Sequence, residues 1–255
     1  MDFGIKNRVA LVTGASSGLG EAVALALARE GVVLAVAARR RDKLEAVARA
    51  AVSQGATSAH AFGVDLNDAA SITALSREVR AACGEVDILV LNGGGPKPGT
   101  LLEAKPDDWE RAYRGTLRSA LDLIDAIVPS MRSRGWGRIV ALTSTSVKQP
   151  IKTIALSNVF RTALVSALKT LSIEVARDGI TVNAIATGRV LTDRLRELYP
   201  DESSLHRAAQ TEIPIGRVAT PEEFAPMVAF LCSERAGYIT GQTIAIDGGL
   251  IASLF

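Results

Sequence analysis

Apolar positions along this chain fall into two alternating rhythms. Short unbroken apolar runs such as "RVALVT" (Arg8–Thr13) and "VVLAVA" (Val32–Ala37) alternate with longer stretches in which apolar residues recur every three or four positions, such as "GEAVALALARE" and "RDKLEAVARAAVSQG". The first kind reads as strands buried on both faces, the second as amphipathic helices. "AHAFGVD", "DILVLN", "RIVALTS", "ITVNAIA" and "QTIAID" continue the strand series. "AASITALSREVRAAC" and two long helices, Pro106–Met131 and Ala155–Ala176, continue the helical one. Strand and helix alternating at this spacing require crossover connections, hence a parallel sheet with helices on both faces. No repeat, low-complexity tract or linker interrupts the pattern, so residues 1–255 read as a single α/β domain. The one long break, residues 191–220, is expected to form a substrate lid over the carboxyl edge of the sheet.

Composition narrows the classes. The chain has 255 residues, 48% of them apolar, which suits a globular core and excludes disorder. A net charge of +2, with no basic run longer than Arg39-Arg40-Arg41, gives no case for a nucleic-acid partner. Cys83 and Cys232 suit a reducing compartment and read as small buried apolar residues. The N-terminal stretch lacks the basic start and apolar core of a signal peptide, and no apolar run reaches the roughly 18 residues of a membrane span. A cytoplasmic protein without a membrane partner is expected, and no His/Cys grouping suggests a metal.

The first strand runs directly into "TGASSGLG", Thr13–Gly20, and then into a helix. Gly14 permits a tight turn, Gly18 lets the backbone approach a pyrophosphate, and Gly20 lets the helix pack against the strand. The free N–H groups and positive dipole end of that helix favour phosphates. In its strand–turn–helix setting the pattern predicts a dinucleotide site in a doubly wound, Rossmann-type sheet. The second strand then separates the two nicotinamide coenzymes. An NAD site ends this strand with a carboxylate for the ribose 2′-OH. Here the end reads "AVAARRRDKL", with Ala38 where the acid would stand and Arg39 following. A guanidinium can hold a 2′-phosphate through paired, charge-assisted hydrogen bonds, with Arg40 and Ser16 at hand to assist. NADP(H) is expected, with NAD the less favoured coenzyme.

"TGASSGLG", "DILVLNGGG", "GRIVALTS", "GITVNAIATG" and "YITGQTIAIDGG", in this order and spacing, resemble the short-chain dehydrogenase/reductases, most of all their 3-oxoacyl-[acyl-carrier-protein] reductase branch. The resemblance spans essentially the whole chain. It implies a carbonyl or hydroxyl compound as the small-molecule substrate. It also implies assembly into homodimers or homotetramers through the two long central helices and the C-terminal strand. By the same resemblance Asp65 touches the adenine, Asn92, Gly93 and Gly94 form the turn beside the coenzyme, and "ATGRVLT" covers the nicotinamide. In that last segment Thr187 replaces a proline while Gly188 and Thr192 are kept. The expected coenzyme-binding set is therefore Gly14, Ser16, Ser17, Gly18, Leu19, Gly20, Arg39, Arg40, Asp65, Leu66, Asn92, Gly93, Gly94, Arg161, Thr187, Gly188 and Val190.

The likeness weakens at the catalytic positions. The family uses Asn, Ser, Tyr and Lys. Ser144 matches the serine, but Thr116, Ser157 and Arg161 stand at the other three places. A tyrosine hydroxyl ordinarily has a pKa of about 10, and a neighbouring ammonium lowers it. A serine hydroxyl is a far weaker acid on a shorter side chain. Arginine keeps its charge and cannot relay protons as lysine does. General acid–base catalysis contributes about 10²–10⁴-fold, and that much is expected to be missing on ordinary ketones. Ser144 and Ser157 together could hold a carbonyl oxygen between two hydroxyls. Lys148 and Lys152 before the helix, and Tyr199 and His206 in the lid, are further candidate donors, whereas Tyr113 reads as packing. Two functions remain open: an NADP(H)-dependent carbonyl reductase with a non-standard proton donor, or a coenzyme-binding protein without turnover, serving as redox sensor or partner subunit.

Overall fold

The computed structural model describes residues 2–254. Among the described residues seven strands form one parallel sheet: β1 (Val9–Thr13), β2 (Val33–Ala38), β3 (Ser58–Gly63), β4 (Ile88–Leu91), β5 (Gly137–Leu142), β6 (Ile180–Thr187) and β7 (Thr243–Ile246). Their order across the sheet is β3-β2-β1-β4-β5-β6-β7. The chain winds outward from β1 to β3, then returns past β1 to continue from β4 to β7. The carboxyl ends of β1 and β4 therefore part into a crevice, the place where sheets of this kind bind ligands.

Side chains alternate between the two faces of each strand and build a core on either side. Ala10 and Val12 of β1 pack with Val23 and Leu27 of α1 (Gly18–Ala28), Leu44 of α2 (Arg41–Ser53) and Phe224 and Val228. Leu11 and Leu89 face the other way, onto Ile72 and Leu75 of α3 (Ala69–Cys83), with Leu123 and Leu168 beyond them. Each such large apolar side chain, taken fully from water, contributes roughly 1.5–3 kcal/mol. This two-sided burial gives the sheet a fixed edge from which to present a site.

The long helix expected over Pro106–Met131 differs in one respect. It runs as α4 (Pro106–Ala112) and α5 (Ser119–Arg134), joined by a π-helical turn over Tyr113–Arg118. The wider turn brings Gly115 against Asn67, where an added Cβ would lie 2.9 Å from the amide oxygen. The Gly115 carbonyl accepts from the Ser119 hydroxyl at 3.1 Å. A one-residue expansion of this kind leaves the apolar stripe nearly in phase, so periodicity does not reveal it; such turns recur at functional sites. The other long helix, α6 (Ala155–Val175), is unbroken. After β6 the chain makes short α7 (Asp193–Arg196) and α8 (Glu202–Glu212) before α9 (Pro221–Leu231) returns to the core. No helix among the described residues is long and apolar enough to cross a membrane.

Candidate active site

The glycine loop is locked by steric necessity. Gly20, in the first turn of α1, sits so close to the preceding turn that a Cβ would stand 2.3 Å from the Gly14 carbonyl oxygen. Gly14 itself has φ 61°, and a Cβ there would strike Asn92. Asn92 clasps the ends of β1 and β4. Its backbone N–H donates to Thr13 Oγ1 at 2.9 Å, its carbonyl accepts from the same hydroxyl at 2.7 Å, and its side-chain amide donates to the Gly14 carbonyl at 3.2 Å. Ser17 precedes α1 with its side chain making no capping bond, so the first-turn N–H groups remain free for a ligand.

At the end of β2 the two arginines divide their work. Arg40 turns back to the loop and donates to Ser16 Oγ at 3.0 Å and Ser17 Oγ at 2.6 Å. Arg39 is exposed and projects along the cleft near Asp65. The Val64 N–H donates to the Ala38 carbonyl at 3.0 Å, which brings Asp65 alongside. The Asp65 carboxyl is held below its usual range chiefly by the Asn67 N–H, then by the Asn67 side-chain amide.

These elements border a cleft of about 750 Å³ across the carboxyl ends of the strands. Every residue expected to hold coenzyme lines it except Gly20, which lies beneath the loop. Thr187 lines it as well, and its buried hydroxyl makes no hydrogen bond among the described residues. Ser144, Ser157, Arg161 and Thr116 also meet there, drawn from the end of β5, from α6 and from the π turn. Ser144 Oγ accepts from the Ser146 N–H at 3.1 Å. Ser157 Oγ accepts from Arg161 Nε at 3.1 Å, and Arg161 Nη1 donates to the Leu142 carbonyl at 2.8 Å. Both serine oxygens thus accept from fixed donors, and each keeps a hydroxyl proton to give. Burial, then the charge of Arg194, pushes the Arg161 guanidinium down to about 10, which leaves it charged at neutral pH. Behind Thr116 and Arg161 lies a pocket of about 30 Å³, room for one water.

The alternative donors fare differently. Lys148, Lys152, Tyr199 and His206 do not line the cleft. Tyr199 lies beneath Arg189, whose guanidinium sits 5.7 Å from the ring and pairs with Glu212. His206 Nδ1 faces the Glu202 carbonyl at 2.7 Å within α8. Tyr113 packs on Phe160. Cleft residues that pattern reading missed are Lys97, Arg111 and Arg194. The segment carrying Arg194 leaves and rejoins the body at one place: Val190 and Ala219 form an isolated bridge, Leu191 N–H donates to the Ala219 carbonyl at 2.8 Å, and Ala219 N–H to Arg189 at 3.0 Å.

Comparison with known proteins adds independent evidence. The enoyl-(acyl carrier protein) reductase family model matches residues 14–251. The chain is 33% identical over 245 residues to the 3-oxoacyl-[acyl-carrier-protein] reductase FabG of Escherichia coli K12, covering 96% of this chain and 98% of that protein. Its structure is similar to that of L-sorbose reductase from Gluconobacter frateurii complexed with NADPH and L-sorbose, with TM-score 0.94, 36% identity and full coverage of both chains. A 3-oxoacyl (acyl-carrier-protein) reductase from Agrobacterium tumefaciens C58 with NADP bound superposes with TM-score 0.91 at 30% identity, over 97% of this chain and 95% of that one.

Proposed function

We propose, starting from the fact that this chain belongs to the short-chain dehydrogenase/reductase family, that it is an NADP(H)-dependent reductase of a small carbonyl compound. The observation that carries the coenzyme choice is the end of β2, where Ala38 offers no carboxylate, Arg39 projects along the cleft and Arg40 presents its guanidinium beside Ser16 and Ser17. The residues present fit a phosphorylated dinucleotide. The glycine turn admits no side chain, the first turn of α1 offers free N–H groups, and the Thr187 hydroxyl awaits a partner in the cleft wall. When bound, the dinucleotide supplies hydride to the carbonyl carbon and the oxygen gains a proton, so that ketone, NADPH and H⁺ become alcohol and NADP⁺.

The chain's own part is to place and polarise the carbonyl. Ser144 and Ser157 donate their hydroxyl protons toward its oxygen, and Arg161 holds Ser157 in that orientation while adding positive charge behind it. Donors fixed before the reaction stabilise developing negative charge without reorganising. With no phenol present, the final proton comes from water in the cleft. The segment over residues 191–220 serves as the lid. Exposed apolar residues on α6, Val159 and Ile173, support a homo-oligomer formed on the long helices.

A coenzyme-oxidation screen of NADPH against 3-oxoacyl thioesters, diketones, aldehydes and ketoses tests the proposal. Turnover of at least one carbonyl class is expected. Tight NADPH binding with no turnover of any class would instead favour a coenzyme sensor, for which the replacement of three catalytic positions is the supporting observation.

A further inference from the structure

The substrate end of the cleft carries more positive charge than its acids balance. Lys97 pairs with Asp108 at 3.1 Å, and Arg194 pairs with Glu197 at 3.3 Å. Asp193 pairs with Arg196 at 3.4 Å. Arg161 and Arg111 line the same cleft, and no carboxylate among the described residues lies within ion-pair distance of either. Arg161 spends two of its N–H groups on neutral acceptors, Ser157 Oγ and the Leu142 carbonyl, and keeps the rest. Arg194 arrives from the lid, braced by the Pro96 carbonyl at 2.7 Å, near enough for its charge to act on Arg161. Two guanidinium groups from different elements thus line one cavity and repel one another, and of the two only Arg194 has a carboxylate partner. A shielded charge without a counter-charge is costly, and a ligand that supplies the counter-charge relieves it. Guanidinium forks are suited in shape to planar or tetrahedral oxyanions.

We propose that the carbonyl substrate is itself an anion, bearing a carboxylate or phosphate group close to its carbonyl, which Arg161 and Arg194 grip while Arg111 adds attraction at the cleft mouth. This rests on the carbonyl-reductase assignment above, and it deepens it from any small carbonyl to an acidic one. Ser144 and Ser157 then meet the carbonyl oxygen as the anionic group lies toward the lid. Arg194 is a specificity residue that reaches the site only with the lid segment in place.

The test uses malonate, inorganic phosphate and the neutral malonamide as probes, titrated by calorimetry into the full-length protein with and without saturating NADPH. At least one of the two anions should bind, and malonamide should bind at least tenfold more weakly. Tighter binding of malonate points to a carboxylate and tighter binding of phosphate to a phosphate ester; either supports the clamp. Arg194→Gln should weaken the anion about tenfold, Arg194→Lys should restore part of the loss, and Arg207→Gln, on α8 outside the cleft, should leave it unchanged. Since Arg194 is partly exposed and outside the core, these variants report on binding, and a melting curve verifies that each is folded. Equal binding of malonate and malonamide, no binding of either anion, or an effect of Arg207→Gln as large as that of Arg194→Gln would overturn the proposal. If NADPH fails to bind, the carbonyl-reductase assignment fails, while the difference between the parent and Arg194→Gln in the titration without coenzyme still decides whether the clamp exists.

Discussion

Arg161 Nε donates to Ser157 Oγ at 3.1 Å, one turn apart on α6, so the two residues form a single hydrogen-bonded unit. The hydroxyl oxygen is occupied as an acceptor, and Ser157 lines the cleft with its own proton still to donate. Ser157→Ala should therefore remove one of two carbonyl donors and lower kcat by about 10²–10³-fold, in the range found for losing a single preorganised donor. KM should change little. An unchanged kcat in steady-state assays on the best substrate of the screen would exclude the donor role.

The reverse substitution is equally informative. Ser157→Tyr with Arg161→Lys and Thr116→Asn installs a phenol, an ammonium and an amide at the family's positions. Activity on simple 3-oxoacyl substrates should rise through kcat, because a proton donor acts mainly in the transition state. If the triple variant instead loses an activity that the parent has, Ser157 and Arg161 are the working groups of a different chemistry.

Coenzyme preference should follow the end of β2. NADPH should bind at least tenfold more tightly than NADH, about 1.4 kcal/mol. Arg39→Ala should abolish most of the difference while leaving NADH affinity near its parental value. Arg40→Ala should weaken both coenzymes, because it also frees Ser16 and Ser17. Calorimetric titration of the four combinations distinguishes the two roles.

Gly20→Ala isolates the packing of the loop. Gly20 has no positive φ, so alanine suits its backbone, yet the new methyl would overlap the Gly14 carbonyl and the Asn92 amide. Overpacking of this sort costs about 1–3 kcal/mol. The melting temperature should fall by about 2–4 °C per kcal/mol in a chain of this size. NADPH binding should drop more steeply than stability, since the displaced turn is the one proposed to cradle the phosphates.

Acid sensitivity should have a local contribution at the start of α9. Glu223 accepts from Arg217 at 2.7 and 2.8 Å and from the Thr220 N–H at 2.9 Å, and Arg217 first, then Thr220, lowers its carboxyl to about 2. Its folded value is thus depressed below the ordinary 4.5. The resulting stabilisation is fully present above that ordinary value and is lost as pH falls toward about 2. Glu223→Gln should melt below the parent at neutral pH, and the gap should close between about pH 4.5 and 2. Because the pair is exposed, added salt should narrow the gap as well.

The alternation of strands and helices was legible because two-sided burial writes continuous apolar runs, and crossover helices write a different period. The glycine loop was legible for a similar reason: its constraint is local, lying within eight residues from Thr13 to Gly20. What escaped depends on contacts between distant parts of the chain. Nothing near Arg40 in sequence says that it turns toward Ser16 rather than outward. Arg194 reaches the cleft only because Val190 and Ala219 pair and swing the intervening segment across Pro96. The π turn at Tyr113–Arg118 shifts Thr116 without disturbing the apolar stripe. Tyr199, a further candidate donor by its place in residues 191–220, instead packs under Arg189, which pairs with Glu212, and does not line the cleft. Burial raises its hydroxyl above the ordinary tyrosine value, opposite to what an acid catalyst at neutral pH requires.

The bridge between Val190 and Ala219 has a consequence for how this scaffold can diversify. The two ends of the excursion are neighbours, so everything between them hangs from the sheet edge as an appendage with a closed base. Its length and composition can change without moving the register of β6 or the placement of α9. Transplanting the corresponding piece from a relative should exchange the chemical taste of the cleft while the glycine loop and the Ser157–Arg161 unit stay where they are.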